Sequence, residues 1–193
     1  MQELFVEQKL DPAAESDSNT VAKDWPSVTI AIPLYNEEKH VDRLLSSFLH
    51  SSYPNIVEVL IADGGSIDKT RELIRNWSEK DSRVILIENP NKYQSFGLNE
   101  MIKKAKGDVF LRADGHCLYA NDYVEECIKA LKMDASRNVG GAQRYLAQNS
   151  VQTGISLAVK SILGNGGAKY MKDSYNGFAD TVFLGCFWTQ DLK

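Results

Sequence analysis

The chain has 193 residues, of which 43% are hydrophobic and 25% charged, a composition that suits one globular domain with one substantial core. Its 26 acidic residues outnumber its 22 basic ones, and no basic run is present to follow a phosphate backbone, so nucleic acid is excluded as an expected partner. Three widely spaced cysteines exclude a disulfide framework, and no stretch reaches the roughly 18 apolar residues of a membrane span. We therefore expect a cytoplasmic protein whose cysteines are reduced and mostly buried.

The amino-terminal segment differs in composition from the rest of the chain. Residues 10–24 are small, polar and acidic, and they offer too little apolar surface to offset the entropy lost on ordering. The first 24 residues also lack the basic start and apolar run of a signal peptide. We predict a flexible leader over residues 1–26 and one folded domain over residues 27–193.

Short apolar runs and helical patterns then alternate along the chain. Runs at 28–32, 57–62, 84–87 and 109–111 are rich in β-branched and large aliphatic residues, which is typical of buried strands. Between them, apolar residues recur with the spacing of helices that bury one stripe each. This order predicts an α/β fold with a mainly parallel sheet flanked by helices and with ligands at the carboxyl ends of the strands. The stripe residues are Val41, Leu44, Leu45 and Phe48; Thr70, Leu73, Ile74 and Trp77; Leu98, Met101, Ile102 and Ala105.

The last third of the domain has a weaker pattern. A fourth helix is predicted from the spacing of Val124, Cys127, Ile128 and Leu131. Residues 138–145 predict another strand, and residues 164–177, rich in glycine and polar groups, predict a surface loop that orders over a ligand. A fifth helix is predicted between them, carried by Ile155, Ala158, Val159, Ile162 and Leu163.

Polar residues follow the first two predicted strands. After the first, Pro33 ends the strand ladder and Glu37 begins the next helix, where a carboxylate also suits the positive end of the helix dipole. After the second, Asp63 stands at the strand tip before two glycines that allow a tight turn, and Ser66 or Asp68 can cap the following helix.

In their order and spacing, residues 27–70 resemble the opening of glycosyltransferase family 2, whose members share the GT-A fold. The resemblance extends over residues 27–193 and is greatest to members that build bacterial exopolysaccharides such as succinoglycan. It implies that Pro33, Tyr35 and Glu37 line a nucleotide pocket and that Asp63 contacts the base through a ring nitrogen. One departure stands out, because the second aspartate of the family's motif is Gly64 here.

The stretch 88–99 also resembles a family segment, one that leads into a helix beside the nucleotide. Ser95 is expected to cap that helix, while Asn99 faces the ligand. An ordinary loop and helix cap explains the same residues without a ligand.

The fourth strand ends where the family usually carries an Asp-x-Asp motif that binds a divalent cation. Arg112 replaces the first aspartate, which leaves Asp114 and His116 on the same side of an extended segment. The pair is suited to Mn2+ or Mg2+, with diphosphate oxygens and waters completing the shell. Arg112 is expected either to contact phosphate or to pair with a carboxylate such as Asp63.

The predicted nucleotide-sugar site therefore combines residues from four strand ends. A metal is expected on Asp114 and His116. The full set is Pro33, Tyr35, Asn36, Glu37, Asp63, Gly65, Ser66, Ser95, Asn99, Arg112, Ala113 and Asp114.

The resemblance implies an inverting transfer of a hexose from a UDP-glucose-like donor to a glycan or lipid-linked saccharide acceptor in exopolysaccharide biosynthesis. In the family the general base is usually an acidic residue downstream of a segment that resembles residues 183–188. Asp191 lies too close to that segment, so we expect the base beyond Lys193, in a longer protein that this chain truncates and to which any membrane association belongs. The competing hypothesis is a catalytically inactive nucleotide-sugar-binding module of the same fold. A nucleotidyltransferase and a dinucleotide oxidoreductase are disfavoured, since no glycine-rich loop follows the first strand.

Overall fold

The computed structural model describes residues 25–133, 137–142, 146–147, 149–165, 175, 177–179 and 181–193. The strands are β1 (Val28–Leu34), β2 (Ile56–Asp63), β3 (Val84–Glu88), β4 (Val109–Arg112), β5 (Asn138–Val139) and β6 (Cys186–Trp188). The helices are α1 (Val41–Leu49), α2 (Thr70–Lys80), α3 (Gln94–Lys104), α4 (Tyr123–Met133), α5 (Ser150–Lys160) and α6 (Ile162–Asn165), followed by a short 3-10 turn at Thr189–Asp191.

The strands form one six-stranded sheet in the order β3-β2-β1-β4-β6-β5. Strands β1 to β4 are mutually parallel, while β6 runs antiparallel to both β4 and β5. The expected α/β fold with a mainly parallel sheet is therefore confirmed. Because β1 lies between β2 and β4, the strand order reverses there, which places a crevice at the carboxyl ends of β1 and β4.

Strand β1 is buried on both faces, as a central parallel strand must be. Alternating side chains belong to different cores, since successive residues of a strand point to opposite faces. Ile30 and Ile32 pack with the apolar stripes of α1, α2 and α4, whereas Ala31 packs with Met101 of α3. The two cores fix the height of the β1 carboxyl end relative to its neighbours.

The predicted fifth helix is present but is divided into two pieces, α5 and α6. The chain breaks at Ser161, whose extended backbone (ψ 156°) ends α5 and whose hydroxyl donates to the carbonyl of Ala158. Two of the apolar residues that carry the pattern lie outside the core, because Ile155 is 59% exposed and Leu163 is 99% exposed. Helical periodicity alone does not say what a stripe packs against.

Three further expectations differ from the structure or fall outside it. The strand predicted over 138–145 is limited to Asn138–Val139, and residues 143–145 lie outside the described residues. The predicted loop at 164–177 begins inside α6 and is otherwise mostly outside them. Of the predicted leader, residues 1–24 are not described, but Trp25 stacks edge-on against Tyr53 at 5.2 Å and Pro26 accepts a hydrogen bond from the Tyr53 hydroxyl at 2.5 Å.

A buried polar cluster closes the amino end of the sheet, away from the crevice. The carboxylate of Glu58, only 3% exposed, accepts hydrogen bonds from the Thr29 hydroxyl at 2.7 Å and from the backbone N–H of Lys106 at 2.6 Å. The Thr29 oxygen also accepts from the N–H of Gly107 at 3.0 Å. These bonds tie β1 and β2 to the turn that begins β4.

We expect the substitution Thr29→Val to lower the free energy of unfolding by about 1–3 kcal/mol, because it leaves the Gly107 N–H without its partner and removes one of the two hydrogen bonds to the buried Glu58 carboxylate. Urea denaturation followed by circular dichroism measures this loss. The control is Thr153→Val in the exposed helix α5, which should change stability by no more than about 0.5 kcal/mol. Equal effects at the two positions would contradict the role given to Thr29.

Candidate functional site

A cleft of about 190 Å³ opens at the carboxyl ends of the parallel strands. Five sequence-predicted residues line it: Pro33, Tyr35, Glu37, Asp114 and His116. Pro33 lies near the end of β1, and the other four follow β1 or β4, the pair of strands that defines the crevice. The rest of the lining is Leu34, Ala62, Gly64, Asn89, Lys92, Gln94 and Gly115. The remaining predicted residues are not among those that line the cleft: Asn36, Asp63, Gly65, Ser66, Ser95, Asn99, Arg112 and Ala113.

The loops after β1 and β2 are bonded to each other. Asn36, in the left-handed region at φ 54°, donates its N–H to the Ser66 hydroxyl at 2.8 Å, and its side-chain oxygen accepts from the N–H of Ile67 at 2.9 Å. Asn36 and Ser66 therefore use their polar groups to join the two loops. This holds the neighbouring residues Tyr35 and Glu37 in place at the cleft.

Glu37 occupies the centre of the cleft and is fixed at its backbone. Its N–H donates to the hydroxyl of buried Thr70 at 2.8 Å. Its carboxylate, 20% exposed, has Oε1 at 3.3 Å from Nδ1 of His116 and Oε2 at 3.8 Å from Nε2 of His40. The turn that carries His116 approaches closely because Gly115 lacks a side chain, since a β-carbon there would lie 2.5 Å from Cδ2 of Leu34.

Asp63 is buried beneath the cleft, with a side chain that is 0% exposed. Its carboxylate accepts hydrogen bonds from the N–H groups of Gly65 and Ser66, from the Ser66 hydroxyl at 2.5 Å, and from Nη1 of Arg71 at 3.0 Å. The hydrogen bond to Asp63 raises the pKa of Arg71. Arg71 also reaches Glu88 at 2.8 Å, so one guanidinium joins the ends of β2 and β3.

Asp114 pairs with Arg112, the residue that replaces the family's first aspartate. Nη2 and Nε of Arg112 lie 3.1 Å and 3.3 Å from Oδ1 of Asp114. Arg112 therefore forms an ion pair with a carboxylate, which is one of its two expected roles, but its partner is Asp114 and not Asp63. The hydroxyl of Tyr119 accepts from the Asp114 N–H at 2.7 Å, and burial raises the pKa of that phenol. The Asp114 backbone is thereby fixed, and both bonds from Arg112 fall on one oxygen.

The loop between β3 and α3 supplies cleft residues that sequence reasoning missed. Asn89, Lys92 and Gln94 line the cleft, and the carbonyl of Lys92 lies so close to Gly64 that a β-carbon there would be 2.8 Å from it. Gly64, read as a departure from the family motif, thus makes room for this loop. The expectation for Ser95 is wrong, because α3 begins at Gln94 with Tyr93 at its N-cap and no side-chain cap bond.

Asp114 and His116 are the predicted residues that could contribute to holding a metal ion. A carboxylate oxygen and an imidazole nitrogen on one cleft wall fit the ligand preferences of Mn2+, and Arg112 leaves Oδ2 of Asp114 for a ligand. Within the described ranges, no three His, Cys, Asp or Glu side chains are grouped closely enough to hold an ion by themselves. A metal here would share its shell with a bound ligand.

The architecture is that of the GT-A class of nucleotide-diphospho-sugar transferases. The chain matches the mannosyltransferase PcManGT from Pyrobaculum calidifontis, solved in complex with GDP-Man and Mn2+, with a TM-score of 0.57 and 25% identity over 64% of this chain and 37% of that one. It also matches TarS 1–349 of S. aureus in complex with UDP-GlcNAc, with a TM-score of 0.55 and 18% identity over 64% and 36% of the two chains.

The family model for glycosyl transferase family 2 matches residues 29–187, and the chain belongs to that family. It is 33% identical over 156 residues to succinoglycan biosynthesis protein ExoA of Rhizobium meliloti, which covers 80% of this chain and 47% of that protein. It is 29% identical over 126 residues to glycosyltransferase AglE of Haloferax volcanii, covering 64% and 41%. The chain thus spans about half the length of these relatives or less.

We expect Asp63→Ala to lower the free energy of unfolding by about 3–5 kcal/mol, because it leaves Arg71 and two loop N–H groups without their buried partner. Chemical denaturation of the purified chain provides the measurement. The matched control is Glu88→Ala, which removes the other partner of Arg71. Because the Glu88 side chain is 73% exposed, this substitution should lower the free energy of unfolding by less than about 1 kcal/mol. A loss at Asp63 as small as that at Glu88 would show that the buried pair does not organise the loop.

Proposed function

We propose that this chain is the nucleotide-sugar-binding part of an inverting glycosyltransferase that transfers a hexose to a saccharide or lipid-linked saccharide acceptor. The observation that carries the proposal is the convergence of Tyr35, Glu37, Asp114 and His116 on one cleft at the carboxyl ends of β1 and β4. Ligands of doubly wound α/β sheets bind at such a strand reversal.

The donor is a nucleoside diphosphate sugar. The diphosphate lies next to Asp114 and His116, and the nucleoside extends across β2 toward β3. Tyr35, 57% exposed at the cleft, offers its ring as a stacking surface for the nucleoside. A UDP sugar is favoured by the resemblance, while the matched mannosyltransferase was solved with a GDP sugar, so the test below uses both nucleotides.

Asp114 and His116 are the residues that would hold the divalent cation. When bound, the cation offsets negative charge on the departing nucleoside diphosphate. Arg112 adds a fixed positive charge beside the same subsite through its pair with Asp114. Glu37 keeps the imidazole of His116 oriented through their 3.3 Å contact.

The acceptor side of the reaction requires a base that removes the proton from the attacking hydroxyl. Asp191, the acidic residue nearest the chain end, lies 3.6 Å from Arg137 beyond β6 and does not line the cleft. We therefore do not assign this role to Asp191. Within the described ranges, no helix is long and apolar enough to cross a membrane.

A metal-free binding module is the second candidate, and the Arg112–Asp114 ion pair favours it. A guanidinium already placed on the Asp114 carboxylate supplies positive charge without a cation. The two candidates differ in one measurable respect, which is whether Mn2+ tightens nucleotide binding.

We expect UDP or GDP, at about 100 times its dissociation constant and with Mn2+, to raise the melting temperature by about 5–10 °C, since a ligand of the folded state stabilises it. Asp114→Ala should abolish the Mn2+ contribution, whereas Asp122→Ala, an exposed carboxylate outside the cleft, should leave it unchanged. Binding that is insensitive to Mn2+ and to Asp114→Ala would favour the metal-free module. No binding of either nucleotide would refute both candidates.

A further inference from the structure

The segment between Asp134 and Asp173 differs in charge from the rest of the chain. Residues 135–172 include five Lys or Arg residues and no Asp or Glu, whereas the whole chain has 26 acidic residues against 22 basic ones. The segment therefore has a formal charge of +5 in a chain whose net charge is -4. It includes β5, the edge strand of the sheet, and the helices α5 and α6 that follow. A partner that contacts this segment is expected to be negatively charged.

Helix α5 carries apolar side chains that the protein core does not cover. Val151 and Ile155, one helix turn apart on the same face, are 71% and 59% exposed, and Leu157 and Leu163 are exposed as well. Among the α5 side chains that the structure describes, none is buried, whereas the whole apolar stripe of α1 is buried. Single exposed apolar residues are ordinary on a protein surface, but several on one helix indicate a contact surface.

The length of α5 limits the kind of contact that it can make. The helix has 11 residues and is about 16 Å long at 1.5 Å per residue, whereas roughly 20 residues are needed to cross a bilayer. The chain then turns back at Ser161, whose hydroxyl accepts a hydrogen bond from the N–H of Gly164 at 3.1 Å. A β-carbon on Gly164 would lie 2.1 Å from the carbonyl oxygen of Ala158, so α6 lies against the end of α5. A bilayer contact through this helix must therefore lie along the membrane surface.

We infer that α5, within its cationic segment, is a peripheral docking surface for an anionic lipid bilayer. The face with Val151 and Ile155 enters the boundary between headgroups and acyl chains, and the cations of the segment attract the anionic headgroups. By helical spacing, Lys160 falls in the row of Ser156 and not in the row of Val151 and Ile155. A bilayer fits this segment better than an acidic protein or a nucleic acid, because it offers an apolar layer directly beneath its negative charge.

This inference goes beyond the proposed function and does not depend on it. It assigns a bilayer contact to this chain itself, whereas the sequence led us to expect membrane association only in a longer protein. Val151, Ile155 and Lys160 are not among the residues that line the cleft. Lipid binding and nucleotide binding can therefore be measured separately on the same protein.

The test is co-sedimentation of the chain with vesicles made of equal parts phosphatidylcholine and phosphatidylglycerol, compared with vesicles of phosphatidylcholine alone. The wild-type chain should bind the anionic vesicles about tenfold or more tightly, and added salt should weaken that binding by screening the charges. The paired substitutions Val151→Ser and Ile155→Ser should weaken it about tenfold, because less apolar surface enters the bilayer. The matched control is Ile67→Ser, at an 88% exposed isoleucine in the loop after β2, which should bind like the wild type.

A second variant tests the contribution of charge. Lys160→Gln should weaken binding to the anionic vesicles about fivefold and leave binding to phosphatidylcholine unchanged, because it removes one cation of the segment. Lys104→Gln, at an exposed lysine in the last turn of α3, is the control and should bind like the wild type. Circular dichroism checks that each variant keeps the wild-type fold.

Three results would overturn the inference: no binding to either kind of vesicle, equal binding to both, or binding that the α5 variants weaken no more than their controls do. A fourth would identify another occupant. If sedimentation velocity without lipid shows a dimer that Val151→Ser with Ile155→Ser dissociates, a second copy of the chain covers this surface and the lipid contact is refuted. None of these results affects the proposed function, which is tested by nucleotide binding.

Discussion

The site depends on the hydrogen bonds that the loops after β1 and β2 make with each other and with buried Asp63. Parallel pairing brings the two strands to the same level, with Leu34 opposite Asp63 in register. The carboxylate of Asp63 accepts hydrogen bonds from the N–H groups of its own loop, and the bond between Asn36 and Ser66 joins that loop to the loop after β1. Without these bonds, Tyr35 and Glu37 would stand on a loop free to move, and a cleft formed by separate chain segments would have no fixed shape.

The acidic residues at the strand ends therefore have different structural roles. Glu37 and Asp114 face the cleft and are partly exposed, whereas Asp63 lies beneath it and supports the floor. Three carboxylates from distant positions thus converge on one edge of the sheet, but they do different work. Glu37 and Asp114 line the cleft, whereas Asp63 holds the loop that forms its floor through internal hydrogen bonds.

Much of the fold was predictable, because a parallel sheet leaves strong local signals. An apolar run such as 57–62 predicts a buried strand, and the apolar stripes of α1 and α2 predict helices with one buried face. The carboxyl ends of the predicted strands then give the position of the cleft. The antiparallel strand β6 escaped prediction because three residues carry too little pattern, and its pairing with β4 is a long-range choice. The exposure of Ile155 was also not predictable, because apolar residues at helical spacing do not show which part of the protein the helix packs against.

The cleft was harder to predict in detail than the fold. Glu37, Asp114 and His116 were found because strand ends and motif spacing point to them. The burial of Asp63 was not predictable in the same way, because it depends on the ion pair with Arg71, eight residues later in the first turn of α2. Asn89 and Lys92 lie in the stretch 88–99 that the resemblance singles out, but their place in the cleft depends on the close approach of this loop to Gly64. Such features exist only once the loops have packed.

The pairing of β4 with β6 also bears on how the polypeptide emerges during synthesis. Strand β4 ends at Arg112, but the strand that covers its outer side begins only at Cys186, more than seventy residues later. While the intervening chain is being made, the outer side of β4 has unpaired backbone groups, and such an open strand can pair with another nascent chain. A ribosome-bound intermediate of this protein is therefore expected to need a holding chaperone until β6 has left the exit tunnel.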